Sequence, residues 1–234
     1  MKRYASVFML LARSVLGKLM AIFAGTALLH GIVFFLLREQ RNIETAYDHW
    51  GMRAAFGAGL VLTCLLLIMT LCQSDSKLDY TLRRLRIGRR SLFLCQAVFD
   101  TACLFMFWAV EIFIALALCS LWMDSHEVTS HQAVYLSFYR SDLLHSLLPL
   151  DDVSRWLRNL AVFICLGMCC AAAPVLKRRG EQHLGVLILP VILTFVFPGG
   201  IAQIGNDSLM AFMAAVCGFA LTVVTWGEEF QRED

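Results

Sequence analysis

Six apolar runs long enough to cross a bilayer constrain this chain more than any other feature. A spanning helix needs roughly 20 predominantly apolar residues, and such runs occupy Leu19–Leu37, Ala54–Cys72, Leu92–Trp122, Asn159–Leu176, Leu184–Ile204 and Leu209–Trp226. Composition agrees: 59% of the 234 residues are hydrophobic and 16% are charged, whereas a soluble domain is about half apolar and a quarter charged. That balance excludes an ordinary soluble globular domain. With four prolines it equally excludes a disordered or collagen-like chain. The predicted fold is therefore all-α and integral to the membrane, one transmembrane domain over residues 1–234 built on six transmembrane helices. No room is left for a large soluble catalytic domain, and a net charge of +2 gives no basic field for nucleic acid.

Six spans place both termini on one side. Fourteen lysines and arginines fall on that side and six on the other, so the positive-inside rule predicts a multi-pass protein of the cytoplasmic (plasma) membrane with both termini in the cytoplasm. Residues 1–17 place Tyr4, Val7, Phe8, Leu11 and Val15 on one helical face and Lys2, Ser6 and Arg13 on the opposite one. This pattern predicts an N-terminal interfacial helix on the cytoplasmic leaflet, with a plain extension of the first span as the alternative. The basic residues run directly into a span of full length, which reads as a retained segment rather than a cleaved signal. Residues 73–91 form a cytoplasmic loop and residues 123–158 an extracytoplasmic cap. The nine cysteines lie in or beside apolar runs and read as small buried hydrophobes.

Two runs have the wrong length. Residues 92–122 make a helix of about 46 Å against a hydrocarbon core of about 30 Å, so the third span must tilt or project, and its first turns, with Cys95 and Asp100, are expected at the cytoplasmic headgroups. The fifth run carries Pro190 and is stopped by Phe197-Pro198-Gly199-Gly200 before a helix can cross. A broken, re-entrant fifth span near the outer surface is the expectation, since irregular backbone at that depth must be buried in protein or line a wet cavity.

The loop 73–91 is the most informative segment. Leu78, Leu82 and Leu85 recur at i, i+4 and i+7, flanked by Arg83, Arg84 and Arg86 and ended by Gly88, the pattern of a short helix built to dock on something. A basic turn resting on anionic membrane lipid is the plainer reading. The chain also contains no GxxxxGK[ST]; Gly180 to Gly185 has the glycine spacing but is followed by Val186, so no nucleotide site is encoded here.

The sequence Asp75-Ser76-Lys77-Leu78-Asp79-Tyr80-Thr81-Leu82, followed by Arg89-Arg90-Ser91-Leu92 and a long third span, resembles the type-2 ABC exporter permeases, a superfamily that includes ABCG lipid exporters and polysaccharide exporters. The Pro190 and Phe197–Gly200 region is similar to the broken fifth helix of that superfamily. The chain departs from the common pattern at Tyr80, Arg83 and Ile87-Gly88. The resemblance implies that Leu78, Tyr80, Leu82, Arg83, Arg84, Leu85 and Arg86 form a coupling helix for a separate ABC ATPase subunit. That partner would bind ATP and Mg, with no cofactor in this chain, and a second permease subunit would complete a homo- or heterodimer. The expected role is a non-enzymatic permease exporting an amphipathic or lipidic substrate such as a peptide antibiotic. A non-transporting immunity, sensory or assembly protein is the alternative.

Ionisable residues inside spans are functional candidates by default. Glu111 lies near the middle of the third run and His30 in the outer half of the first, so the two are candidates to meet. A proton-coupled secondary transporter using Glu111 is the third functional reading, beside a plain packing role. No metal site is expected: His126 and His131 are at i and i+5, about 140° apart on a helix, and cannot share one metal face.

Overall fold

The computed structural model describes residues 2–37, 43–72, 88–125, 132–150 and 152–178, with residues 188, 191, 192, 197 and 218. The expected coupling loop, the helix break at Pro190, Pro198, Gly199 and Gly200, and nearly all of the fifth and sixth spans lie outside these residues. The described residues form helices α1 (Lys2–Leu36), α2 (Ile43–Tyr47), α3 (Trp50–Cys72), α4 (Arg89–Ser125), α5 (Gln132–Arg140), α6 (Asp142–Leu147) and α7 (Val153–Arg178), with no strand among them. Four of them, α1, α3, α4 and α7, are long and apolar enough to cross a membrane. Over the described residues the chain is all-helical, and its four apolar helices are those of a multi-pass membrane protein.

The expected interfacial helix is not separate. α1 is one unbroken helix of 35 residues, about 52 Å long, because a single glycine costs only about 1 kcal/mol in a helix and a lysine stem can lie along apolar surface with its ammonium displaced. The apolar face predicted for residues 1–17 is covered by protein: Val7, Leu11 and Val15 are buried, and Phe8 packs edge-on against Phe99 of α4 at 6.2 Å. α4 has 37 residues, about 55 Å, and so exceeds a bilayer core as expected.

α4 packs most extensively on α7, and α1 on α3; α1–α4 and α3–α7 contacts close the bundle. Between spans the hydrophobic effect gives no drive, so close approach and internal hydrogen bonds hold the helices. Gly59 of α3 shows the first. A Cβ there would lie 2.5 Å from Thr26 Cγ2 of α1 and 2.9 Å from the Phe107 ring of α4, so only glycine lets three helices converge at this level. Gly59→Ala is expected to cost about 1–3 kcal/mol, measured as a lowered unfolding midpoint in detergent. The clashing atoms belong to side chains, so trimming Thr26 to serine should recover part of the loss.

The cap is tied down by directed polar contacts. Asp48 Oδ1 accepts from the Ser141 hydroxyl at 3.0 Å, from the Leu143 amide at 3.3 Å and from Arg53 Nη2 at 3.3 Å. Ser141 is itself the N-cap of α6, so one carboxylate joins the α2–α3 corner to the cap. Trp108 Nε1 of α4 donates to the Leu147 carbonyl at 2.9 Å. The last residues assigned to the cap belong instead to α7, which starts at Val153 with Asp152 Oδ1 accepting from the Ser154 amide at 2.9 Å.

Candidate functional site

α1 and α4 bring His30 and Glu111 together. His30 Nε2 lies 3.6 Å from Glu111 Oε2, and both side chains are buried, 5% and 2% exposed. His30 Nδ1 is 2.9 Å from the Thr26 carbonyl. A carbonyl can only accept, so Nδ1 carries a hydrogen, and the neutral ring then offers Nε2 as an acceptor. One proton can reside on either of the facing atoms: on Glu111 Oε2 the pair is neutral, on His30 Nε2 it is an imidazolium–carboxylate pair. At 3.6 Å the contact is an acid–base approach longer than a hydrogen bond. Glu111 Oε1 has no hydrogen-bond partner among the described residues, although buried carboxylate oxygens are nearly always matched.

The pair sits in a fixed frame. Gly59 seats α3 against Thr26, the residue whose carbonyl orients His30. Thr63 Oγ1 donates to the Gly59 carbonyl at 2.8 Å. Toward the cap, the Tyr47 hydroxyl of α2 donates to the Ala115 carbonyl at 3.1 Å, one turn beyond Glu111. Tyr47 is buried, and burial first, then the nearby Cys119 and Glu111, holds its hydroxyl well above the ordinary tyrosine pKa. A group whose pKa is raised on folding contributes stability that is complete below its unfolded value and lost as pH rises beyond it. Stability is thus expected to be insensitive to Tyr47 up to about pH 10 and to fall above it. Tyr47→Phe should abolish the Tyr47 part of that alkaline fall and cost about 1 kcal/mol at neutral pH through the lost hydrogen bond, read from unfolding curves across pH.

Of the residues singled out in the sequence, His30 and Glu111 are thus joined. Leu78, Tyr80, Leu82, Arg83, Arg84, Leu85 and Arg86 lie outside the described residues, as do Pro190, Pro198, Gly199 and Gly200. Asp100, expected at the level of the headgroups, is enclosed by protein, 1% exposed, where α7 packs along this stretch of α4. Its Oδ2 has no hydrogen-bond partner among the described residues. Sequence reasoning also passed over Arg155 and Arg158, which counted only as loop charges. Both are buried. Arg158 Nε and Nη2 donate to Asn159 Oδ1 at 3.2 and 3.0 Å, and its guanidinium lies 5.2 Å above the Phe197 ring. The available signal was their position in the last turn before an apolar run, where long basic side chains reach along the protein.

Cys64, Cys103, Cys119, Cys165, Cys169 and Cys170 are buried free thiols. Among the described residues no group of three or more His, Cys, Asp or Glu side chains is arranged to hold a metal ion. Compared with known proteins, the chain matches no family, no curated sequence and no solved structure.

Proposed function

We propose that this chain is the membrane-spanning permease subunit of an ATP-driven ABC exporter, acting as half of a dimer with two ATPase chains. The observation that carries the reading is the basic, leucine-striped loop between α3 and α4. The helices flanking it end at Cys72 and begin at Arg89, so the segment that resembles a coupling helix connects two membrane spans directly. Nucleotide closure of the ATPases would push through Leu78 to Ile87 and tilt α3 and α4 together. Both termini and this loop then face the cytoplasm, and the cargo is an amphipathic or lipidic molecule.

The test is stoichiometric co-purification of an ATPase with the tagged protein. Replacing Leu82 and Arg84 with alanine is expected to reduce cargo-stimulated ATPase activity at least about tenfold, which corresponds to about 1.4 kcal/mol of coupling, while the protein stays folded. If no ATPase binds and ATP depletion leaves transport intact, this reading is lost.

A second reading is favoured by one specific observation. The His30–Glu111 contact at 3.6 Å is a buried acid–base pair within two spans, the arrangement expected of a proton-coupled secondary transporter. Glu111→Gln abolishing a proton-driven flux, with no ATPase required, would select it.

A further inference from the structure

α4 carries a second buried carboxylate in line with Glu111. Asp100 and Glu111 are eleven positions apart, three helical turns to within about 20°, so they occupy one face of the helix about 16 Å apart along it. Cys103, Leu104 and Phe107 share that face and are buried with them. Phe107 stands at the middle of α4, between the two carboxylates. Its ring is 6.1 Å from Phe23 of α1 and 5.8 Å from Phe56 of α3, and Phe56 stacks on Phe197 at 5.2 Å. The inward face of α4 therefore reads, in order, carboxylate, aromatic plug, carboxylate. At each end one carboxylate oxygen is buried and without a hydrogen-bond partner among the described residues, Asp100 Oδ2 and Glu111 Oε1.

We propose that Asp100 and Glu111 are two stations of one proton path along the inward face of α4, gated by Phe107 with Phe23 and Phe56. The inference rests on the proton-coupled reading and deepens it. The carried species is a proton rather than a metal cation. A hard cation needs several oxygen ligands, and among the described residues the polar and titratable groups around Asp100 are Gln96, Cys103 and Cys170, with Cys64 beyond. Among the described residues Glu111 has His30 from α1 and Tyr47 from α2, the latter beside Cys119.

The transfer balances without any redox partner. Water on the Asp100 side delivers a proton to a carboxylate oxygen, forming one O–H bond. When the Phe107 ring swings aside, a short chain of waters carries that proton to Glu111 Oε1. Glu111 then releases the proton on Oε2 to His30 Nε2, and the imidazolium returns it to water on the far side. Loss of the Nε2 proton restores the Nδ1–H ring and rotation of the Glu111 carboxyl returns its hydrogen from Oε1 to Oε2, so each station ends as it began and one proton has moved.

The experiment reconstitutes the full chain in liposomes with a trapped pH dye and an imposed proton gradient. Glu111→Gln and Asp100→Asn are each expected to slow flux at least about a hundredfold, and Phe107→Ala to speed it about tenfold by opening the plug. A second measurement needs no variant. Wild-type protein treated with a membrane-soluble carbodiimide, which traps protonated buried carboxyls, should carry adducts on both Asp100 and Glu111 by peptide mass spectrometry. If Asp100→Asn conducts like the wild type while Glu111→Gln does not, or if Asp100 escapes labelling while Glu111 reacts, the two-station path is overturned and the proton-coupled reading stands. If the wild type carries no flux and neither residue is labelled, both fall.

Discussion

Gly167→Val is expected to remove at least about 3 kcal/mol from the folded state, and in cells to leave little folded protein. A Cβ at Gly167 of α7 would meet Thr101 of α4 at its hydroxyl oxygen, at its backbone nitrogen at 2.8 Å and at its Cα at 2.9 Å. Side chains can rotate away, but the backbone of a helix moves only with the helix. α4 and α7 would have to separate, and theirs is the most extensive contact in the bundle. Spans attract one another through close packing and hydrogen bonds rather than through expulsion of water, so little else would replace the lost contact. Gly167→Ala should show much of the same effect, and Thr101→Ala should not rescue it, because the obstructing nitrogen and Cα remain. Gly25, where an added Cβ would meet nothing within 4 Å, is the control: Gly25→Ala should change stability by less than about 0.5 kcal/mol. The measurement is the unfolding midpoint in detergent, followed by circular dichroism during denaturant titration. An unfolding midpoint for Gly167→Ala equal to that of Gly25→Ala would disprove this contact.

Arg158→Ala is expected to cost about 3 kcal/mol, with two separable parts. The guanidinium is fully enclosed, so truncation leaves a void against the Phe197 ring, which it now faces at 5.2 Å. Asn159 Oδ1 also loses the donors that reach it at 3.2 and 3.0 Å. The Asn159 side chain is fixed at its other end, where Nδ2 donates to the Ser146 carbonyl at 2.8 Å, and cannot turn to find another partner. Arg158→Lys keeps the charge but not the planar fork, and should lose about half as much. A double-mutant cycle of Arg158→Ala with Asn159→Ala should return a coupling of about 1 kcal/mol or more; additivity of the two would show that the Arg158–Asn159 contact carries no energy.

Much of the helical frame was legible because hydropathy is a sum over one segment. The runs 54–72, 92–122 and 159–176 correspond to α3, α4 and α7, the first lengthened at its start and the other two at both ends. The additions, such as Trp50 to Arg53 and Val153 to Arg158, are polar or interfacial residues that continue a helix once its interior is formed. His30 and Glu111 stood out for the same reason, as ionisable groups inside apolar runs. Their contact was not legible, since two residues 81 positions apart meet only through the rotation of α1 against α4. Gly59, which sets how closely α3 approaches α1 and α4, is marked in sequence only as half of the small-residue pair Ala55/Gly59, a spacing that permits close packing without naming its partner.

What sequence determined by itself was the solvent of this protein: four described helices with few charges and full spanning length belong in a membrane whatever their order in space. What the tertiary structure alone decided was which polar groups are covered. Asp100 was placed at the headgroups by the basic residues before it, and α7 encloses it; Arg155 and Arg158 were placed in a loop, and they are buried where α7 begins. The physical reason is that transfer energy belongs to a residue, whereas burial belongs to its neighbours, and neighbours distant in the chain are set only when the helices pack.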